Sequence, residues 1–154
     1  MKNLKRSICN SVIRNNKVNA AKEKLKVIFD TNAFFTPIKF KIDIFEALEK
    51  LLERKFEPIL LLPVKQELER MAKEGTPKMR KEASYALKLA EKCKLIESNM
   101  KAGESPDDAI FRMASEWKCP VFTNDKELKR RLRNINVPVI YVRQKSRLET
   151  DGRI

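Results

Sequence analysis

Apolar residues along this chain fall into short unbroken runs separated by longer amphipathic stretches. Within Leu25 to Asn32, Val27-Ile28-Phe29 is a β-favouring run with no polar interruption, the pattern of a strand buried on both faces of a parallel sheet. Similar runs follow at Ile59-Leu60-Leu61-Leu62, Lys94-Leu95-Ile96-Glu97, Cys119-Pro120-Val121-Phe122 and Val137-Pro138-Val139-Ile140-Tyr141-Val142. Between them, apolar positions recur at helical spacing. Ile44, Phe45, Leu48, Leu51 and Leu52 predict one amphipathic helix, and Val64, Leu68, Met71 and Ala72 a second that opens at Pro63. Met79, Ala83, Leu87 and Ala90 predict a third, opening at Thr76-Pro77, and Ile110, Phe111, Ala114 and Trp117 a fourth, opening at Pro106. A basic helix over Lys126 to Arg133 precedes the last strand. Strands alternating with helices in this way predict an α/β domain on a parallel sheet, and 154 residues suffice for one real core.

Two of the strands stop abruptly on polar chemistry. The first runs into Asp30-Thr31-Asn32 and the fourth into Thr123-Asn124-Asp125. In open α/β sheets the ligand crevice lies at the carboxyl edge, where such residues emerge. Asp107 falls on the apolar side of its helix, with Asp108 turned about 100° away. Glu67 borders the buried stripe of its helix, about 40° from Met71 at helical pitch. Parallel neighbours would let Asp30, Glu67, Asp107 and Asp125 converge over one edge. Each has a structural alternative: Asp30-Thr31-Asn32 as a turn, Asp125 as a helix cap, Glu67 as a solvated helix residue, and Asp107 as a partner of its helix dipole. Asn124 and Glu127 have capping-box spacing, and Asp108 is assigned to the capping-box pattern Ser105-Pro106-Asp107-Asp108.

Composition narrows the chemistry. The chain has no histidine, which removes triads, imidazole acid/base catalysis and His-based metal sites. Cys9, Cys93 and Cys119 are too few and too scattered for a zinc site or a disulfide framework, so a reducing cytoplasm is the expected compartment. No run approaches a membrane span, and no membrane partner is expected. With 34 Lys and Arg against 21 Asp and Glu, the net charge of +13 points to a polyanion, most simply nucleic acid. Carboxylates crowded together repel one another, and a hard divalent cation such as Mg²⁺ or Mn²⁺ relieves that repulsion through oxygen ligands. Acids plus a basic surface therefore suggest metal-dependent phosphodiester hydrolysis.

In their order along the chain, Val27-Ile28-Phe29-Asp30-Thr31-Asn32, Pro63-Val64-Lys65-Gln66-Glu67-Leu68, Asp107-Asp108-Ala109-Ile110 and Val121-Phe122-Thr123-Asn124-Asp125 resemble the PIN-domain nucleases. The resemblance implies a three-layer sandwich around a central five-stranded parallel sheet, order 3-2-1-4-5, flanked by helices. It implies endonucleolytic cleavage of single-stranded RNA at a Mg²⁺ or Mn²⁺ site. Asp30, Glu67, Asp107 and Asp125 match the family's acids; Thr31, Asn32 and Thr123 match supporting polar positions, and Asn124 is grouped with them. The basic stretch after Asp125 and the strand beyond it look more like the ribosomal-RNA-processing PIN endonucleases than VapC-type toxins, which pair with an antitoxin. A homodimer is plausible by resemblance only.

For binding RNA, Lys126, Lys129, Arg130, Arg131 and Arg133 after the fourth acid, and Arg143, Lys145 and Arg147 after the last strand, are the expected phosphate contacts, with a solvated basic face as the alternative. Phe34, Phe35 and Phe40 are candidates to stack on bases, with core packing expected for at least one. The expected organisation is a partly ordered basic arm over 1–24, the nuclease-like domain over 25–147 and a flexible tail over 148–154. Two competing functions are a non-catalytic RNA-binding or ribosome-assembly factor and, less well matched, a phosphoacceptor domain.

Overall fold

A computed structural model describes residues 24–154; the basic arm expected over 1–24 lies outside the described residues except for Lys24. Strand β1 (Leu25–Phe29) is the centre of the sheet. Val27, Ile28 and Phe29 are completely buried, as an uninterrupted β-favouring run requires. The Phe29 ring meets Phe34, Phe45 and Phe122 at centroid separations of 5.3, 5.9 and 5.3 Å. A 3-10 turn (Thr31–Phe35) runs directly into the short helix α1 (Thr36–Phe40), which precedes α2 (Ile44–Leu52). Strand β2 (Phe56–Leu61), helices α3 (Leu62–Glu74) and α4 (Pro77–Ala90), and strand β3 (Lys94–Ile96) follow. Helix α5 (Pro106–Trp117), strand β4 (Val121–Phe122), helix α6 (Lys126–Asn134) and strands β5 (Val139–Arg143) and β6 (Arg147–Asp151) complete the chain.

The sheet order is β3-β2-β1-β4-β5-β6. The first five strands are parallel in the expected order, flanked by helices. The expectation of five strands is corrected to six: β6 pairs antiparallel with β5, from Val139 opposite Asp151 to Arg143 opposite Arg147. Most of β6 falls in the 148–154 segment expected as a flexible tail. Its Leu148 is buried, and its Asp151 pairs with Lys129 at 3.5 Å and Arg133 at 3.3 Å, both on α6. Of the three phenylalanines offered for stacking, with core packing expected for at least one, Phe34 and Phe35 are the ones that pack inside. Both are buried in the core, which removes them as platforms for bases, while Phe40 is half-buried. In α4 the buried residues are Ala83, Ala86 and Ala90, and Met79 lies exposed beside Gly75.

Candidate functional site

The carboxyl ends of β1 and β4 lie side by side. The Asp30 amide donates to the Phe122 carbonyl at 3.0 Å, and the Thr123 amide to the Ile140 carbonyl at 3.0 Å, so Asp30 and Thr123 leave the sheet at one level. Their side chains then meet. The Thr123 hydroxyl donates to Asp30 Oδ2 at 2.6 Å, Asn32 Nδ2 donates to the same oxygen at 3.2 Å, and the Thr31 amide donates to Oδ1 at 2.7 Å. Asp30 is 4% exposed. Burial is the main reason its carboxyl is pushed up to about 6; Asp107 and Asp125 push the same way, while the Thr123 and Thr31 hydrogen bonds oppose them.

Helices deliver the other acids. Pro63 is in the first turn of α3, where no backbone donor is needed, and the helix carries Glu67 to the site one turn later. Ser105 caps α5 by accepting from the Asp108 amide at 3.2 Å. That places Asp107 in the first turn, over the cleft. The Asp107 carboxyl is also raised, first by burial and then by Asp125, with Arg131 acting against them; among the described residues no hydrogen-bond donor contributes. The Asp108 carboxylate is exposed and meets Arg131 at 3.3 Å, so only one half of the expected capping box forms. Asp125 caps α6, its Oδ1 accepting from the amides of Glu127 at 2.8 Å and Leu128 at 3.2 Å.

Asp30, Glu67, Asp107 and Asp125 all line one open cleft of about 450 Å³. Thr31 and Asn32 line it with them. Among the described residues, the acids do not close on a single point as a ready-made cage. Their oxygens are partly engaged: Asp30 by three donors, Asp125 by its helix, and Glu67 by Arg70 at 4.0 Å. The donor set still suits a hard divalent ion, which keeps several waters instead of needing an all-protein shell. Two features of the cleft favour that fit. Asp30 and Asp107 are raised mainly by burial with added repulsion from neighbouring carboxylates, a cost that a cation relieves. The Thr31 hydroxyl is a buried polar atom with no partner among the described residues.

Asn124 does not face the acids. Its amide NH donates to Asn32 Oδ1 at 2.9 Å, its Nδ2 to Thr36 Oγ1 at 3.3 Å, and its Oδ1 accepts from the Val142 amide at 2.8 Å. It frames the site by tying the 3-10 turn after β1, helix α1 and strand β5 together. Lys39, Phe35 and Met71 also line the acidic cleft, and sequence reasoning missed them there. The available signal was helical spacing: Lys39 lies four residues after Phe35, and Met71 four after Glu67.

The cations expected to bind RNA are spread around this edge and are largely paired. Lys129 and Arg133 meet Asp151, Arg130 meets Glu127, Arg131 meets Asp108, and Arg143 meets Glu149. Lys129 also stands over the Tyr141 ring, and Arg131 over Phe111. Lys126 and Lys145 have no acid partner among the described residues, and both are exposed.

The model of the PIN-like domain family matches residues 27–145, spanning every acid of the cleft. The chain belongs to this PIN-like family. Ribonuclease VapC4 of Methanocaldococcus jannaschii is 37% identical over 132 residues, 84% of this chain and 98% of that protein. The rRNA-processing protein FCF1 of Saccharomyces cerevisiae is 33% identical over 127 residues, 80% of this chain and 62% of that longer protein. Among solved structures, the PIN domain endonuclease Utp24 superposes with a TM-score of 0.71 at 32% identity, covering 84% of this chain and 92% of that one. The PIN-like fold thus accounts for the helix-flanked, mostly parallel sheet at whose carboxyl edge the acidic cleft lies.

Proposed function

We propose that this PIN protein is a divalent-metal-dependent endoribonuclease that cleaves single-stranded RNA. The observation that carries the reading is the lining of one cleft by Asp30, Glu67, Asp107 and Asp125, in a chain whose net charge is +13. The printed activities of the relatives, ribonuclease for VapC4 and endonuclease for Utp24, support it. Asp30, Glu67, Asp107 and Asp125 would hold a Mg²⁺ or Mn²⁺ ion, which would supply Lewis acidity toward water and the phosphodiester. The chain's own residues have separable tasks. Asp30 is fixed in orientation by Thr31, Asn32 and Thr123, and Asp107 presents a carboxylate with no helix cap to satisfy. Lys39, on the lining of the same cleft, attracts the phosphate that the acids would otherwise repel.

Ribosomal RNA is the substrate we favour, supported by the likeness to FCF1 and Utp24. A toxin-type ribonuclease is the second reading, supported by the match along nearly the whole of VapC4. Labelled single-stranded RNA incubated in Mn²⁺, in Mg²⁺ and in chelator tests the activity. Wild type is expected to cut only with metal, and Asp30→Asn not at all. Salt-sensitive binding without cleavage in either metal would turn the reading to a non-catalytic RNA-binding factor.

A further inference from the structure

Behind the Thr123-Asn124-Asp125 turn lies a second cleft of about 460 Å³, and its chemistry is the opposite of the first. It contains no acid. Lys126, Lys129 and Arg143 supply positive charge, Phe40 and Tyr141 supply rings, and Gln144 supplies an amide. The two clefts are neighbours: Thr123, on the lining of the second, donates its hydroxyl to Asp30 in the first, and Lys126 directly follows Asp125. Lys126 is exposed and without an acid partner among the described residues, so its charge is available to a ligand.

The backbone at the mouth of this cleft is held in an unfavourable form. Gln144 and Lys145 have φ of 54° and 57°, and the Ser146 amide donates to the Arg143 carbonyl at 3.2 Å. Two successive left-handed residues, neither of them glycine, make a tight turn between β5 and β6 that asparagine or glycine would form more readily. Strain of this kind concentrates at binding sites. Here it places Gln144 on the cleft lining, its Oε1 accepting from Arg147 Nη1 at 3.3 Å. Lys129 already covers one face of Tyr141, 3.6 Å from the ring centroid, which leaves half-buried Phe40 as the ring open to stacking.

From this juxtaposition we infer that the second cleft is a nucleotide subsite, holding one nucleotide of the RNA strand next to the bond cut in the acidic cleft. Phe40 stacks on its base and Lys126 holds its phosphate. Arg143, which keeps its pairing with Glu149, adds charge beside it, and the Gln144 amide nitrogen meets the base edge. Stacking on an aromatic beside cations is how single strands are held with little sequence choice. The inference rests on the ribonuclease reading but is tested apart from it, because binding can be measured without catalysis.

A fluorescein-labelled single-stranded oligoribonucleotide, titrated with protein in chelator and followed by anisotropy, gives binding alone. Phe40→Ala and Lys126→Ala are each expected to weaken binding about tenfold. Phe40→Trp is expected to restore it, which a merely structural role for the ring would not predict. Lys126→Ala should also make the salt dependence shallower by about one phosphate contact. In Mn²⁺ the same variants should raise KM and leave kcat nearly unchanged. If both alanine variants fold and bind RNA like wild type, the subsite is wrong whether or not the protein cuts RNA. If wild type binds but never cuts, while the variants lose binding, the ribonuclease reading fails and the subsite survives.

Discussion

Three hydrogen bonds reach the Asp30 carboxylate, and each favours its charged form, yet burial outweighs them and raises the group to about 6. The difference from the ordinary 3.8 corresponds to on the order of 3 kcal/mol held against the ionised side chain. Between about pH 4 and 6 the folded protein therefore binds more protons here than the unfolded chain does. Its stability should be fullest below the ordinary aspartate range and fall as pH rises through 6. Thermal melts in chelator from pH 4 to 7 should show that fall, and Asp30→Asn should flatten it. A saturating divalent ion should reverse it at pH 7, raising wild-type stability by about 2.7 kcal/mol at a hundred times its Kd. The Asp30→Asn variant should respond weakly. Equal stabilisation of both proteins would mean that the ion binds elsewhere. At Asp107 and Asp108 a second contrast is expected: Asp107→Asn should lower kcat about a hundredfold or more, whereas Asp108→Asn should cost little beyond an exposed ion pair with Arg131. Asp30, Asp107 and Asp125 stand out in the sequence because strand ends and helix starts have fixed positions, and Glu67 because it borders the buried stripe of its helix. The Asn124 contacts do not, because they join residues from three distant segments.

At the level of elements, the five parallel strands were legible because runs such as Val27-Ile28-Phe29 have no polar break. Strand β6 was not. Arg147-Leu148-Glu149-Thr150-Asp151 contains one strongly apolar residue and lies at the sheet edge, where charge is tolerated and even protective. What holds it are contacts invisible in a linear pattern: Leu148 against the core and Asp151 against Lys129 and Arg133. Leu148→Ala should cost about 2–3 kcal/mol by chemical denaturation, as for an ordinary buried leucine. Gly152 ends the strand at a φ of 99°, where an added Cβ would overlap the Arg133 guanidinium and approach Pro138 Cα to 3.0 Å. Gly152→Ala should therefore destabilise by about 1–2 kcal/mol and weaken the grip of α6 on β6. An unchanged denaturation midpoint in both variants would show that the edge strand adds nothing to the fold.

For the molecule as a whole, an acidic cleft in a chain of net charge +13 sets two opposed fields at one edge. The distant field gathers RNA, and the near one excludes it until a cation is bound. Binding should therefore be steeply salt-sensitive: contact with about five phosphates of a single strand would weaken it about a hundredfold between 50 and 200 mM salt. Anisotropy titrations across that range would check the slope, and a flat response would mean that few of the charges touch the strand. Net charge was read directly from the residues. Which cations are engaged by Asp108, Glu127, Glu149 and Asp151 depended on the folded arrangement.

The three contacts made by Asn124 have one property in common: none of the groups involved gains or loses a proton near neutrality. The frame that joins the turn after the first strand, the first helix and the fifth strand is thus indifferent to acidity, while the carboxyls beside it are not. Shifting the protonation of the cleft then leaves these three contacts in place, so the acids gather around an incoming ion on a backbone whose alignment is already set.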